Sequence, residues 1–274
     1  MNLETVINQS KNRNILRQKL GVGYFTLKRR MYWIFGGIKF ARRGGTLPPT
    51  MLEHAHFTHQ TPIYRAWQNV DPQLERNKRV NFGIALAKID MVTLQPGETF
   101  SFWRLLGKPT RRKGYIEGVV LRNGVLGGGI GGGLCHLTGF TYWMTLHTPL
   151  TVTERHRHSH DTSPAGWPQP FGSDATCFYN YKDLMITNNT DHAFQLRLEA
   201  TEEHLRGAWI SDAPPVSKYE VYQKHHSIEI EKHGKYIRHG VLHRRVYDLD
   251  GVLKNDEFIS ENYAVQLYPS TEAI

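Results

Sequence analysis

An α+β fold is predicted, and three observations predict it. Apolar residues at helical spacing fill much of the chain as far as His147. After Pro149, short β-prone segments follow one another, separated by turn residues. Between the two regions, six glycines in the seven residues Gly127–Gly133 lead into a run of bulky side chains at helical spacing. Helices segregated from successive strands give a mostly antiparallel sheet region, not alternating βαβ units. The expectation is N-terminal helices, a central glycine-rich turn leading into a buried helix, and antiparallel β structure towards the C-terminus. With 274 residues the chain is long enough for one substantial core with appendages.

Residues 3–20 read as a polar, basic helix that Gly21 and Gly23 break. Residues 24–43 read as a second helix, ended by Gly44-Gly45 and the Pro48-Pro49 break. His54, His56 and His59 lack the spacing of a standard zinc motif and read as loop or surface residues. Asp71-Pro72 opens a helix that Leu74, Val80, Ile84, Leu86 and Ile89 carry to Met91. Gln95-Pro96-Gly97-Glu98 makes a turn before a strand over Thr99–Trp103. Residues 114–126 form a hairpin about Asn123-Gly124. A helix then runs from Cys135 to His147 and stops at Thr148-Pro149. Strands are expected over 150–155, 175–179, 183–187, 193–200, 206–210, 226–231, 235–239, 243–248 and 261–268. The organisation that follows is a basic helical arm over 1–49, a core domain over 50–213, and a C-terminal β appendage over 214–274, set off at Pro214-Pro215.

The net charge of +9 sits in the arm, because residues 1–45 hold ten Lys or Arg against Glu4 alone. The rest of the chain is balanced. An arm of this kind suits an acidic partner, unless it is simply a solvated helical face. Tyr24–Arg43 interleaves aromatic and aliphatic side chains with Lys28, Arg29, Arg30, Lys39, Arg42 and Arg43, the composition of a segment lying on an anionic membrane or of a docked helix with basic ends. Met31–Ile38 is too short to span a bilayer and no secretory leader is read. A cytoplasmic protein at the inner membrane face is therefore expected. No helix-turn-helix or finger pattern supports nucleic acid as the partner. Cys135 and Cys177 are too few for a disulfide scaffold, and the sequence leaves open whether they bridge each other.

Glycine-rich runs carry an entropic cost and occur where the backbone needs positive φ or close approach. This run lacks the Lys-Ser or Lys-Thr of a phosphate loop and the strand-to-helix unit of a dinucleotide site. It puts Cys135 at a helix N-terminus, where free N–H groups favour an anion and lower a thiol pKa. The glycine N–H groups are candidates for an oxyanion hole. The competing reading is a flexible turn above an inert, packed cysteine.

Glu154-Arg155-His156-Arg157-His158-Ser159-His160-Asp161 puts three histidines at alternate positions, facing one way if the segment is a strand. A Cys–His pair with an acid orienting the His is the usual activated thiol. The same alternation suits a metal site of Cys135, His156 and His158, zinc being the ion such a set would take. Asp174, after Gly172-Ser173, either orients a His or closes its own turn.

The ordered set Pro96–Phe102, Gly131-Gly132-Gly133-Leu134-Cys135, Glu154–Ser159, Gly172–Thr176, Asp183-Leu184 and Asn188-Asn189-Thr190 resembles the VanW family over roughly residues 75–210. Thr99–Leu105 and Leu146–Thr151 are similar to the stand-alone members found in glycopeptide-resistance clusters. The resemblance implies a link to vancomycin resistance and cell-wall (peptidoglycan) biology, without fixing a reaction. His136 stands where the family usually has Gln. The expected chemistry is thiol-dependent acyl transfer or amide hydrolysis on a peptidoglycan peptide or precursor, without a cofactor. Cys135 is the nucleophile, His158 the base and Asp174 its orienting acid. Glu98, Gly131, Gly132, Gly133, His136, Arg155, His156 and Ser159 bind substrate or brace the site. The alternative is a non-catalytic module in which the glycine turn and Arg155 grip a wall precursor.

Overall fold

The computed structural model describes residues 15–44, 52–65, 70–122, 124–161, 169–230 and 236–266. Its architecture is α+β, with helices early and mostly antiparallel strands late. The elements are α1 (Ile15–Phe35), β1 (Arg42–Arg43), β2 (His54–Pro62), α2 (Pro72–Arg76), α3 (Lys78–Ile89), β3 (Val92–Leu94), β4 (Thr99–Ser101) and α4 (Phe102–Leu106). They continue with β5 (Glu117–Arg122), β6 (Val125–Ile130), α5 (Leu134–Thr145), β7 (Thr151–Glu154), β8 (His160–Asp161) and β9 (Met185–Thr187). The last are β10 (Phe194–Ala200), β11 (His204–Ser211), β12 (Lys218–Ile230), β13 (Tyr236–Tyr247) and β14 (Leu253–Gln266).

A five-stranded antiparallel sheet, β1-β3-β10-β11-β2, carries the core. Helix α3 packs on β10, and α5 packs on β11 and β2. Phe82, Ile89, Leu137, Leu196 and Trp209 are buried between them. Each such side chain stabilises the fold by roughly 1.5–3 kcal/mol through its removal from water. The indole N–H of Trp209 donates to Thr145 Oγ1 at 3.1 Å, so burying the ring strands no donor. A three-stranded sheet β4-β9-β7 and the β5-β6 hairpin flank this core. The long strands β12-β13-β14 form a ribbon whose last member pairs in parallel with β8, Val265 opposite His160. That pairing ties the end of the chain to the histidine segment.

Several elements differ from the sequence reading. Helix α1 runs unbroken through Gly21 and Gly23 and ends at Phe35. A mid-helix glycine costs only about 1 kcal/mol relative to alanine, which neighbouring turns absorb. Residues 36–43 are not helical: Phe40 bridges Thr99, and β1 pairs β3. The expected helix over 3–14 lies outside the described residues. The segment with His54, His56 and His59 is strand β2, not a loop. The 71–91 helix starts as expected, with Asp71 capping Gln73 N at 2.8 Å, but divides at Asn77. Phe102 and Trp103 are helical because Ser101 caps α4 and Asp183 holds Trp103 N at 2.9 Å. Residues 175–179 make only isolated bridges. The expected strands 235–239 and 243–248 merge into β13, and β12 and β14 extend well before the segments expected there. Of the glycine run, Gly127, Gly128 and Gly129 belong to strand β6, leaving Gly131–Gly133 as the turn.

Candidate active site

The turn Gly131-Gly132-Gly133 sets the position of α5, and its sequence follows from crowding. A Cβ on Gly132 would lie 2.1 Å from the carbonyl carbon and oxygen of Gly118 in β5. Gly133 caps α5 at φ 93°, where a Cβ would also meet Lys78 Cγ at 2.3 Å. Asn81 fastens the turn by donating to Gly132 O at 2.9 Å. No side chain fits at Gly132 without moving backbone, and one at Gly133 would hold a strained positive φ and displace the Lys78 side chain. Gly132→Ala is therefore expected to lower unfolding free energy by about 3 kcal/mol. Gly127→Ala, where nothing lies within 4 Å of the added carbon, should change it by less than about 1 kcal/mol. Urea denaturation of the two variants checks the contrast.

The glycine N–H groups are not free to stabilise an oxyanion. Gly131 N donates to Ile116 O at 3.0 Å, Gly132 N to Gly129 O at 2.9 Å, and Gly133 N to Val119 O at 3.0 Å. His136 N also turns back, to Gly133 O at 2.8 Å. Among the described residues, the N–H of Cys135 makes no backbone hydrogen bond to a residue outside α5. The turn thus supplies one donor where the sequence suggested several, because hairpin β5-β6 consumes the rest.

Cys135 is the second residue of α5, and its sulfur meets the segment that follows Asp174. Cys177 Sγ and Cys177 N lie at 3.5 Å, and Thr176 Oγ1 at 3.6 Å. As a thiolate the sulfur accepts from all three; protonated, it donates to Cys177 O at 3.4 Å. Thr176 is held there by its bridge to His156, with Thr176 N donating to His156 O at 2.8 Å. The ring of His158 faces Cys135 and hydrogen-bonds through Nδ1 to Asp174 Oδ2. The trio expected from the sequence is therefore assembled in space.

The electrostatics follow from these contacts. The hydrogen bond from Cys177, working against burial, and the facing His158 hold the Cys135 thiol well below its ordinary value. Burial opposes charge on His158, yet the Asp174 carboxylate and the facing sulfur raise its pKa to about 10. Burial also opposes charge on Asp174, but His158 and Arg155 hold it below the usual carboxylate range. Burial pushes the Cys177 thiol well up. These shifts favour a Cys135 thiolate beside a His158 imidazolium. Of two cysteines 3.5 Å apart, one is pushed towards the thiolate and the other away from it.

Arg155 braces this trio. Its Nε donates to Asp174 O at 2.8 Å, Nη2 to Gly172 O at 2.8 Å, and Nη1 to Asn262 Oδ1 on β14 at 2.6 Å. The guanidinium stacks over Tyr142 and its side chain is only 10% exposed. A residue so fully engaged is not available to grip a ligand carboxylate, which corrects one role proposed for it from sequence. The alternate histidines also diverge. His156 Nε2 bonds Glu154 Oε1 at 2.8 Å, and Glu154 in turn pairs with Arg29 of α1. Ser159 Oγ meets His160 Nδ1 at 3.0 Å. The segment is extended only in parts, so a period of two does not apply across it. Among the described residues no group of three or more His, Cys, Asp or Glu is arranged to hold a metal ion. Glu98 closes its own turn, accepting from Gln95 N at 3.1 Å and lying 3.5 Å from Lys39.

Cys135, His158 and Asp174 line a cleft of about 530 Å³. Gly131, Gly133 and His136 line it too, as do Arg122 and Lys78, the latter paired with Glu75 and donating to Ile63 O at 2.7 Å. His136 has neither ring nitrogen hydrogen-bonded, and burial, aided by the charges of Arg65 and Lys78, keeps the ring neutral. Sequence reasoning missed Cys177 and Asn262 as members of this site. That the chain has only two cysteines, one of them three residues past Asp174, was the available signal for the first. Nothing local in sequence marks Asn262, which arrives through the parallel β8-β14 pairing.

Residues 77–210 match the family model described as VanW like protein. The vancomycin B-type resistance protein VanW of Enterococcus faecalis (strain ATCC 700802 / V583) is 30% identical over 188 residues, 68% of this chain and 67% of that protein. The uncharacterized protein YoaR of Bacillus subtilis (strain 168) is 27% identical over 122 residues, 44% of this chain and 39% of its own length. The chain thus spans two thirds of the first relative and well under half of the second. No solved structure matches it.

Proposed function

The chain belongs to the VanW family, and from that premise we propose that it is a thiol-dependent enzyme acting on a cell-wall peptide or its precursor, in the setting of glycopeptide resistance. The observation that carries this reading is Cys135 at the start of α5, faced by His158 that Asp174 holds, inside a cleft wide enough for a peptide. The reaction is acyl transfer or amide hydrolysis. The Cys135 thiolate attacks the peptide carbonyl carbon, and the Cys135 N–H meets the oxygen as it gains charge. His158 starts protonated, so it acts first as an acid and gives its proton to the leaving amine. Neutral His158 then takes a proton from the water or amine that opens the thioester. Asp174 keeps the ring oriented, and Arg155 keeps Asp174 in place.

The cleft supports a substrate with a polar or anionic group, since Arg122 lines it and the ring nitrogens of His136, which have no hydrogen-bond partner, supply a further polar contact. The direct test is acid quenching of the protein with wall-derived peptides, followed by mass spectrometry. An acyl group on Cys135 is expected. Product release with equal rate from Cys135→Ala would overturn the reading.

Helix α1 supports a membrane-surface location for the same enzyme. It exposes Leu20, Tyr24, Leu27, Ile34 and Phe35 alongside Lys28 and Arg30, while Arg29 turns inward to Glu154 at 2.6 Å. Among the described residues no helix is long and apolar enough to cross a membrane. An exposed apolar and basic helix of this kind lies in the interface of an anionic bilayer. Sedimentation with phosphatidylglycerol vesicles, but not with phosphatidylcholine vesicles, is expected. Leu27→Asp with Ile34→Asp should weaken binding by about tenfold or more, since two apolar anchors are lost.

A further inference from the structure

The two cysteines pose a question that the acyl chemistry leaves open. They are the only cysteines in the chain, both are free, and they come from different elements 42 residues apart. Their sulfurs are 3.5 Å apart on one wall of the cleft. A disulfide bond is about 2 Å long, so they are already at contact distance. One partner is fixed and the other is able to give. Cys135 rides on α5, which is packed into the core, whereas Cys177 sits in a segment held by isolated bridges at Thr176 and Phe178. Cys135 is partly exposed to the cleft, and Cys177 is buried behind it. A small oxidant entering the cleft therefore reaches Cys135 first.

We propose that Cys135 and Cys177 form a reversible disulfide, with Cys177 as the resolving thiol that switches the site off under oxidation and protects its nucleophile. The inference rests on the reading of Cys135 as the reactive thiolate of the cleft. The oxidant is a peroxide. The Cys135 sulfur attacks one peroxide oxygen, the O–O bond breaks, and hydroxide leaves and is protonated to water. The sulfur is now a sulfenic acid, oxidised by two electrons while the peroxide is reduced. Cys177 sulfur then attacks Cys135 sulfur, and the S–O bond breaks. The thiol proton of Cys177 leaves with the hydroxyl group as a second water. Two thiols and one peroxide thus give one disulfide and two waters. A dithiol reductant returns both thiols by exchange. Without Cys177 the sulfenic acid has no neighbouring thiol and proceeds to sulfinic acid, which such reductants do not reverse.

The test uses the full chain treated with hydrogen peroxide, then mapped by mass spectrometry under non-reducing conditions. Iodoacetamide alkylation of Cys135 is timed in parallel on the untreated protein. Expected are fast alkylation, a Cys135–Cys177 crosslinked peptide, and its complete loss with dithiothreitol. In Cys177→Ser the same treatment should leave sulfinic acid on Cys135. Fast alkylation in the natural protein with sulfinic acid and no crosslink would overturn the pair and leave the thiolate reading intact. Slow alkylation with no oxidation would overturn both. The natural sequence alone decides the crosslink, so the outcome does not depend on how the variant folds.

Discussion

Cys135→Ala should abolish turnover of a wall peptide, with kcat/KM falling by about 10³-fold or more, a loss of at least about 4 kcal/mol of transition-state stabilisation. The fold should be nearly unaffected. Cys135 makes polar contacts to its sulfur, and removing one sulfur from a partly open site changes stability by about 1 kcal/mol. Activity and stability are therefore expected to separate, which kcat/KM and a thermal melt measured on one preparation will display. An inert packing cysteine predicts the reverse pattern: a cavity cost and unchanged rate. The surroundings argue against inertness. Inert buried cysteines sit among apolar atoms, whereas this sulfur is met by a hydroxyl, a backbone N–H, a second thiol and an imidazole. Retained activity in the alanine variant would remove Cys135 from the chemistry.

The site was more legible in the sequence than the sheets that hold it. Cys135, His158 and Asp174 fall in three separate motifs, and those of Cys135 and Asp174 limit their own backbone strongly. Gly132 admits no side chain without moving backbone, Gly133 holds a positive φ, and Gly172 at φ 91° has no room for a Cβ beside Asn262. Such constraints show as glycines at fixed offsets, so the residues beside them can be named without a structure. The roles assigned to the supporting residues were harder to read. Whether the N–H groups of Gly131 and Gly133 are free depends on the carbonyls of Ile116 and Val119, which lie more than ten residues away in the chain. Arg155 reads equally as a ligand-binding or a bracing residue until Asn262 is known to lie beside it.

The same distinction applies to the fold. Core elements with one buried face, such as α5 and β10, were visible as periodic patterns. The ribbon β12-β13-β14 has polar side chains on both faces over much of its length, so its strands appeared as fragments. Strand β2 was lost for a related reason. His56 and His59 fill partly buried positions there, with His59 stacked on Phe140, and a histidine carries no clear hydrophobic signal. Helix α1 passes through two glycines because propensity is only a weak prior on a long helix.

Asp174→Asn isolates the contribution of charge from that of orientation. Asparagine keeps a carbonyl oxygen able to accept from His158 Nδ1, while the negative charge that raises the His158 pKa is gone. The sign follows directly. His158 has an ordinary value of 6.5 and is raised to about 10 in the fold, so its stabilising interaction is fully present below 6.5 and is lost as pH rises through about 10. The natural protein should keep its thiolate–imidazolium pair across neutral pH, with activity falling on the basic side near 10. In the variant burial is opposed only by the facing Cys135 sulfur, so the basic limb moves down towards neutral pH. The Cys135 thiol pKa should rise at the same time, because the cation facing it has been lost. At mildly alkaline pH the two effects together should lower kcat/KM by about 10²–10³-fold, the scale on which a triad loses rate when its acid is neutralised. A difference in thermal stability between the two proteins should be largest just below pH 6.5, shrink as pH rises from there, and vanish above about 10. Its size will be modest, since the Asp174 side chain is 47% exposed and water screens the pair. The pH–rate profile is the decisive measurement because an orienting hydrogen bond alone does not move it. A profile that keeps its basic limb in place would show that Asp174 positions His158 without setting its charge, and the protonated histidine would have to be dropped from the mechanism.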